Sequence, residues 1–441
     1  MTRHTRRMGG VILVLAVLLG ACTETTADSD GSGEATDADG GTGGTGSAST
    51  VGITPDTIKV SVIWPDIRAL IDAGVVPDTG DVAGNVQLFA ERANQEGGAA
   101  GRQLEVTVHE FPVPAGVAEQ RPACVAATEE EQAFIVVFVG GQSEETLACV
   151  SEEHETIALG LTGNTRTSTY QASDGRMFLD DMSSSRLMEN WVTAVDDHGL
   201  LDDATIGIIR PDFSSHEDIA NTLTEALEGA GYEVTEDVAL PCEQLSQSCE
   251  QTDVGAQRLQ AADVDTVFSL LGPLAYPSVV GAADAVGYDP QWLSSDFEVQ
   301  VYSTTAALFG EQAEAYDGAI GISTLTAVDE PEPWAVECND YYTQTTGESF
   351  ETLSDAWQAV AAMCLLVDRI VEAANKAEEA GGLDQASFIS EFEQIPFEYN
   401  GRQGAFGPDK HDGADAYQLF EFGGDCSCWE PIEGTVATDE S

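Results

Sequence analysis

Short β-branched runs alternate with amphipathic segments that end in glycine, and this order constrains the fold more than any other feature. The first run, 58–63, has the apolar alternation of a β-strand. Gly101 separates a helix-like segment from the run at 104–108, and Gly231 precedes a similar run. Strands that alternate with helices form parallel βαβ units. The pattern predicts an α/β fold with two similar lobes, the second of which starts after Phe178.

The pattern becomes mainly helical after Ala319. Helices are predicted over 334–345, 354–374 and 383–395. Strand-like segments over 404–407 and 417–422 close the chain. The helix over 354–374 carries an apolar stripe, which predicts that it packs in a core.

The N-terminus has the features of an export signal. Three arginines precede an apolar run, 11–19, which is too short to span a bilayer because a spanning helix takes about 20 residues. The run leads into Leu-Leu-Gly-Ala-Cys at 18–22, which resembles the lipobox of bacterial lipoproteins. This resemblance implies a lipoprotein signal peptide over 1–21 and lipidation of Cys22. The alternative is an ordinary signal peptide that is cleaved near Ala21.

The charge of the chain is strongly negative. Residues 23–50 contain no large apolar side chain and cannot form a core, so the segment 22–51 is predicted to be a flexible acidic tether. Of the 17 basic side chains, three lie in the signal segment, which leaves 14 against 77 acidic ones. Such a field repels nucleic acid and anionic lipid, so neither is an expected partner. Contact with a membrane is expected through the lipid anchor only.

Nine cysteines are present, and lipidation of Cys22 would leave eight in an oxidising compartment. Sequential pairing is the simplest hypothesis, although eight cysteines allow 105 connectivities. A metal site is disfavoured because no C-x-x-C pair or adjacent histidine pattern occurs. The candidate disulfide cysteines are Cys124, Cys149, Cys242, Cys249, Cys338, Cys364, Cys426 and Cys428.

Four segments together carry a resemblance to a known family. They are 52–60, 137–143, 293–296 and 404–409, of which the last has the sequence Gly-Ala-Phe-Gly-Pro-Asp. In this order they resemble the leucine/isoleucine/valine-binding family of type I periplasmic solute-binding proteins. The resemblance implies two Rossmann-like lobes joined by a three-segment hinge.

The family layout implies domain boundaries for this chain. Lobe one would comprise 52–180 plus 321–405, and lobe two 181–320 plus 406–431, followed by a disordered tail over 432–441. The three crossovers would lie near 178–182, 318–322 and 406–415. Cys124 and Cys149 occupy the place of a frequent first-lobe disulfide. Under this layout Cys242, Cys249, Cys426 and Cys428 all lie in lobe two, so the layout does not determine which of them pair.

Candidate ligand contacts are small or polar residues that follow strands, since ligands of open α/β sheets bind at the carboxyl ends of strands. Helix N-termini there suit a carboxylate, and Asp296 is placed to hold an α-ammonium group. The alternatives are a helix N-cap for Ser143, a turn for Asp296 and a core position for Trp64. Asp355 and Trp357 are further candidates for the lobe-one wall. The candidate contacts are Gln142, Ser143, Thr162, Gly163, Ser214, Ser215, Gly272, Asp296 and Trp64.

These features predict an extracytoplasmic lipoprotein that captures a small polar ligand, an amino acid or amide-like molecule, and delivers it to an ABC permease. The family often has a tyrosine-glycine pair where this chain has Asp212-Phe213, so the resemblance does not identify the ligand. A monomer without cofactor or metal is expected. A sensory protein of the same fold is the alternative. An enzyme, such as a cell-surface hydrolase, is disfavoured because no G-x-S-x-G, H-E-x-x-H or phosphate-loop motif occurs.

Overall fold

Two twisted sheets flanked by helices make up the described part of the chain. The computed structural model describes residues 49–68, 71, 78–112, 117–161, 165–242, 248–298, 300–399, 401–432 and 434–438. The predicted signal peptide, Cys22 and nearly all of the predicted tether lie outside these residues, as does the end of the predicted tail. Among the described helices, none is both long and apolar enough to cross a membrane.

The first sheet has five parallel strands in the order β2-β1-β3-β4-β5. Its strands are β1 (Thr57–Asp66), β2 (Gln103–Pro112), β3 (Ile135–Phe138), β4 (Ile157–Gly160) and β5 (Met177–Leu179). Its helices are α1 (Val82–Gln95), α2 (Val117–Val125), α3 (Glu144–Ala148) and α4 (Thr167–Ala172). Single π-helical turns, Ala126–Glu130 and Cys149–Glu153, extend α2 and α3.

The second sheet continues the alternation and then reverses direction. Strands β7-β6-β8-β9-β10 are parallel, and β13 and β14 add to β10 as antiparallel strands. The strands are β6 (Ile206–Pro211), β7 (Val234–Leu240), β8 (Thr266–Ser269), β9 (Gln291–Ser295) and β10 (Ile320–Ser323). Helices α5 (Ser184–Asp197), α6 (Ser214–Ala230), α7 (Thr252–Ala261), α8 (Tyr276–Ala285) and α9 (Ser303–Ala306) connect them. Three 3-10 segments lie at Asp296–Glu298, Ala307–Gln312 and Glu314–Tyr316.

The C-terminal part of the chain serves both sheets. Helices α10 (Pro333–Thr346), α11 (Asp355–Ala380) and α12 (Gln385–Phe392) precede a hairpin of β11 (Phe397–Tyr399) and β12 (Arg402–Gly404). Strands β13 (Ala416–Gly423), β14 (Cys428–Pro431) and β15 (Val436–Ala437) follow. The α/β fold is confirmed, and the helix predicted over 354–374 is confirmed and extends to Ala380.

Both faces of the first sheet are buried, which explains the continuous apolar strands. Val60 and Val62 of β1 face a core that includes α11 and α12, whereas Ile63 faces α2 and α3. Helices α10 to α12 therefore return to the first sheet, which we call lobe one together with its helices. Lobe two is the second sheet with its own two cores.

Two predicted boundaries differ from this arrangement. We expected lobe one to resume at residue 321, but β10 pairs within the second sheet through Ser323. We expected Phe406 in lobe two and in a strand, but it follows β12 and packs against Phe178 and Phe392 in the core of lobe one. Aromatic packing therefore decides which lobe Phe406 belongs to, and the strand-like sequence around it does not reveal this.

The eight described cysteines pair in sequential order. The pairs are Cys124–Cys149, Cys242–Cys249, Cys338–Cys364 and Cys426–Cys428. The first links the helical segments that follow β2 and β3, and the third links α10 to α11. The last closes the turn between β13 and β14, where lobe two reaches the cavity described below.

Candidate ligand-binding site

A cavity of about 580 Å³ lies between the two lobes. Its wall includes side chains from both sheets and from the segments that cross between them. On the lobe-one side it is lined by Trp64, Thr79, Val82, Val139, Leu161, Leu353, Asp355, Gln358, Ala359, Ala362 and Met363. The other lining residues are Val301, Tyr302, Ser323, Leu325, Thr326, Ala327, Val328, Tyr399, Arg402, Phe420, Cys428 and Trp429.

Strand ends in lobe one position its share of the wall. Trp64 lies near the end of β1, and Val139 and Leu161 come directly after β3 and β4. These three strands are neighbours and parallel, so their carboxyl ends meet at one edge. The first two turns of α11, up to Met363, cover the same edge.

Lobe two contributes residues from strand ends and from its closing hairpin. Ser323 ends β10, and Tyr302 follows β9 after a short 3-10 turn. Phe420 lies in β13, and Trp429 lies in β14, where its indole Nε1 donates to the Gln300 carbonyl at 3.1 Å. The antiparallel hairpin thus supplies two aromatic side chains that a purely parallel sheet would not place there.

Many polar side chains in the wall already donate to the protein. Ser323 Oγ donates to Asp296 Oδ2 at 2.9 Å. Thr326 Oγ1 and Gln358 Nε2 each donate to a main-chain carbonyl at 2.7 Å. The hydroxyl of Tyr399 donates to the Leu161 carbonyl at 3.2 Å. Together with Arg402 and Trp429, these four residues form a set that we call the occupied donors.

The base of the cavity contains a buried charge network. Arg402 Nη2 lies 3.0 Å from Asp181 Oδ1, and Arg402 Nη1 donates to the Leu161 carbonyl at 2.8 Å. Thr324 Oγ1 accepts from Arg402 and lies 3.0 Å from Asp181 Oδ1. Asp181 follows β5 at the first crossing between the lobes, and Arg402 begins β12 in the hairpin that precedes the last crossing, so the pair joins these two parts of the chain.

Asp296 belongs to the same network. Its Oδ2 accepts from Ser323 Oγ, and from the Thr324 main-chain nitrogen at 2.6 Å. Burial, followed by the negative charge of Asp181, raises the pKa of the Asp296 carboxyl to about 7. The side chain lies behind Ser323 and does not line the cavity.

An ion pair also spans the two lobes outside the cavity. Arg166, just before α4 in lobe one, binds Glu144 of α3 at 2.6 Å. The same guanidinium lies 2.5 Å from Asp218 of α6 in lobe two. We call Arg166 and Asp218 the cross-cleft pair.

The sequence model of the periplasmic binding protein family matches residues 72–426. The chain belongs to this family. Its members bind small molecules outside the cytoplasm and deliver them to the permeases of ABC transporters. A search of curated proteins gives no significant match.

Solved structures of substrate-binding proteins share the fold at low identity. A branched-chain amino acid ABC transporter protein from Thermus thermophilus with bound valine has a TM-score of 0.65 at 12% identity, over 88% of this chain and 98% of that one. A fatty acid ABC transporter substrate-binding protein from Thermomonospora curvata has a TM-score of 0.63 at 16% identity, over 88% and 94%. A Rhodopseudomonas palustris solute-binding protein in complex with 3,4-dihydroxybenzoic acid has a TM-score of 0.60 at 14% identity, over 83% and 93%. These matches support the type I periplasmic binding protein fold.

The predicted ligand contacts of this family member are spread over the cleft region. Trp64 lines the cavity, as does Asp355. Thr162 and Gly163 lie outside the described residues. Gln142, Ser143, Ser214, Ser215, Gly272 and Asp296 do not line the cavity. Their roles, and that of Trp64, as ligand contacts stay predictions.

Local hydrogen bonds explain two of these positions. Ser143 caps α3, since its Oγ accepts from the Thr146 main-chain nitrogen at 3.3 Å. Ser215 Oγ lies 3.3 Å from Nδ1 of the neighbouring His216. Trp357 is buried against Ala335 and Ala361 and does not line the cavity.

Sequence reasoning missed most side chains of the wall, among them Met363, Tyr302, Arg402, Phe420 and Trp429. Met363 and Phe420 lie in a predicted helix and a predicted strand, but nothing in those segments pointed to the cavity. Arg402 offered one clue, because an arginine is scarce in so acidic a chain. Phe420 and Trp429 reach the cavity through the closing hairpin, whose pairing depends on long-range contacts, whereas Met363 reaches it from α11 and Tyr302 from the segment after β9.

Proposed function

We propose that this chain is a solute-binding protein that closes its two lobes around one small molecule and delivers it to an ABC permease. The observation that carries the proposal is the cavity between the lobes, to which both sheets and the crossing segments contribute. Closure around a ligand in such a cleft excludes water and strengthens each polar contact. The cross-cleft pair supports this movement because it stabilises the arrangement in which the lobes approach each other.

We propose further that the protein is held at the outer face of the cell membrane by lipid on Cys22. The lipobox-like segment supports this, and the predicted tether would give a reach of roughly 30 Å. That reach lets the folded body meet a permease without direct contact with anionic lipid, which its charge disfavours.

The ligand hypothesis drawn from the sequence was an amino acid or an amide-like molecule. It depends on Asp296 as the contact for an ammonium group. Asp296 lies behind Ser323 and accepts hydrogen bonds from Ser323 and Thr324. The proposed function therefore does not depend on an ammonium-bearing ligand.

A thermal-shift panel tests solute binding. The full chain with Cys22→Ser is heated with amino acids, amides, urea, small carboxylates, alcohols and aromatic compounds. A ligand at 100 times its Kd stabilises a protein by about 2.7 kcal/mol. We expect at least one such hit, together with a smaller radius of gyration in solution scattering.

Two matched variants test whether the ligand that stabilises the protein binds in the cavity. Gln358→Lys adds a charge to the cavity wall, whereas Gln260→Lys adds the same charge to an exposed position on α7. The shift should be lost in the first variant and kept in the second. A shift that is equal in both variants, or no hit in the whole panel, would contradict the proposal.

A further inference from the structure

Carbon atoms dominate the wall of the cavity. Trp64 and Met363 contribute from lobe one, and Phe420 and Trp429 contribute from lobe two. Met363 and Phe420 are themselves buried by their neighbours, so their positions are fixed by packing. A ligand between these side chains gains most from apolar surface of its own.

The occupied donors limit polar recognition. Each of the six residues in that set already donates a hydrogen bond to a protein acceptor. A ligand carboxylate that drew on one of these hydrogens would leave a buried protein acceptor without its donor, which carries a free-energy cost. The hydrogens that these six residues donate thus hold the wall together and are not free for a ligand.

Two buried charges near the cavity, Arg402 and Asp296, already contact polar groups of the protein. Arg402 faces Asp181, and Asp296 lies behind Ser323. Asp355 is exposed at the start of α11. In the wall a zwitterion would meet Arg402, which is already paired with Asp181, and Asp355, which is exposed to water, so the lost hydration of its two charges would be poorly compensated. The formal net charge of -60 adds a long-range penalty for an anion.

We infer that the cavity takes an uncharged, predominantly apolar molecule, aromatic or medium-chain aliphatic, and not a free α-amino acid. The inference rests on the proposed solute-binding function and specifies its ligand class. The cavity volume of about 580 Å³ lies within the range of pockets that enclose organic molecules larger than a simple amino acid.

Four probes separate charge from apolar character. Octan-1-ol and indole are neutral, octanoate carries the alkyl chain of octanol with a negative charge, and L-leucine is a zwitterion. Binding is measured by isothermal titration calorimetry on the full chain with Cys22→Ser. This substitution lies outside the two lobes and removes the need for detergent. We expect octan-1-ol and indole to bind with a Kd lower than that of octanoate or L-leucine by about tenfold or more.

A pair of alanine variants assigns the binding to the cavity. Ala359 of α11 lines the wall and Ala282 of α8 does not, although both are partly buried in helices. Ala359→Gln should weaken octanol binding by about tenfold, and Ala282→Gln by less than about twofold. If Ala359→Gln loses cooperative unfolding, Trp64→Leu replaces it, with an expected loss of about fivefold.

Binding of L-leucine that is tighter than binding of both neutral probes would overturn the ligand class and leave the solute-binding function standing. Tighter binding of octanoate than of octan-1-ol would also overturn it, because the charge would then be recognised. Failure of both neutral probes overturns the inference as well. The thermal-shift panel then decides separately whether the proposed function fails with it.

Discussion

Arg402 Nη2 and Asp181 Oδ1 lie 3.0 Å apart at the base of the cavity, with 1% and 3% of their side chains exposed. Asp181 lies at the first crossing between the lobes, and Arg402 lies in the hairpin that precedes the last crossing. A second buried pair, Arg369 and Asp180 at 2.9 Å, joins α11 to the same first crossing. Few basic residues exist in this chain, so their concentration here indicates that compensating buried acids at the crossings is one of their main structural roles.

Loss of one partner of the Arg402–Asp181 pair should destabilise the fold strongly. Arg402→Met leaves Asp181 buried without its ion-pair partner, and such changes cost about 3–5 kcal/mol. Urea unfolding measures the change. Arg258→Met, which removes an exposed pair with Glu236, should cost at most about 1 kcal/mol.

The double variant Asp181→Leu/Arg402→Met refines this test. It removes both charges, so it should recover part of the stability that the single change loses. If the double variant loses as much stability, relative to the wild-type chain, as Arg402→Met and Asp181→Leu lose together, the two side chains do not act as a pair.

The pKa of Asp296 predicts a pH dependence of stability. Its folded-state pKa is about 7, whereas an unfolded aspartate titrates near its ordinary value of about 3.9. Between these values the folded state binds more protons, so the contribution of Asp296 to the free energy of unfolding falls as pH rises from about 4 to 7. Each unit of pKa difference corresponds to about 1.4 kcal/mol.

Asp296→Asn removes this titration and keeps an oxygen that accepts from Thr324. The variant should lose less stability than the wild-type chain between pH 4 and pH 7, the window set by the two pKa values above. Asp284→Asn on the exposed side of α8 is the control and should keep the wild-type slope. Equal slopes in both variants would assign the pH dependence to other groups.

The physical origin of each feature decides how far the sequence predicts it. Period-two strands and glycine-terminated helices are local signals, so β1 to β4 and β6 to β9 follow from the pattern, whereas β5 and β10 were not predicted. The side of Phe406 and the pairing of β13 with β14 depend on contacts between distant segments. The same holds for the cavity wall, because Trp429 and Arg402 reach it only through such pairing. Trp64 was found because it follows a strong local strand signal.

The cross-cleft pair predicts a salt-sensitive rate of ligand release. Asp218 is about half exposed, so the pair with Arg166 is worth at most about 1 kcal/mol. Asp218→Asn should therefore speed dissociation of a hit from the panel by up to about fivefold at low salt, and less at high salt. Stopped-flow displacement measures the rate.

Asp174→Asn is the matched control for this change. Asp174 pairs with Arg176 within lobe one, at 3.5 Å and with 85% of its side chain exposed. It should leave the dissociation rate unchanged. If both variants release the ligand at the wild-type rate at every salt concentration, the cross-cleft pair has no part in closure.

The lipobox-like segment predicts that Cys22 alone decides the attachment of the chain to the membrane. Cys22→Ser removes the thiol that we propose carries the lipid, and the acidic body has no electrostatic attraction to anionic lipid that would replace it. The chain should move from the membrane fraction to the soluble fraction and lose incorporation of an alkyne-labelled fatty acid. Thr23→Ser changes the neighbouring residue and should preserve both. A Cys22→Ser chain that stays with the membrane and still incorporates the label would place the attachment elsewhere, whereas a wild-type chain that is soluble and unlabelled would favour ordinary cleavage near Ala21.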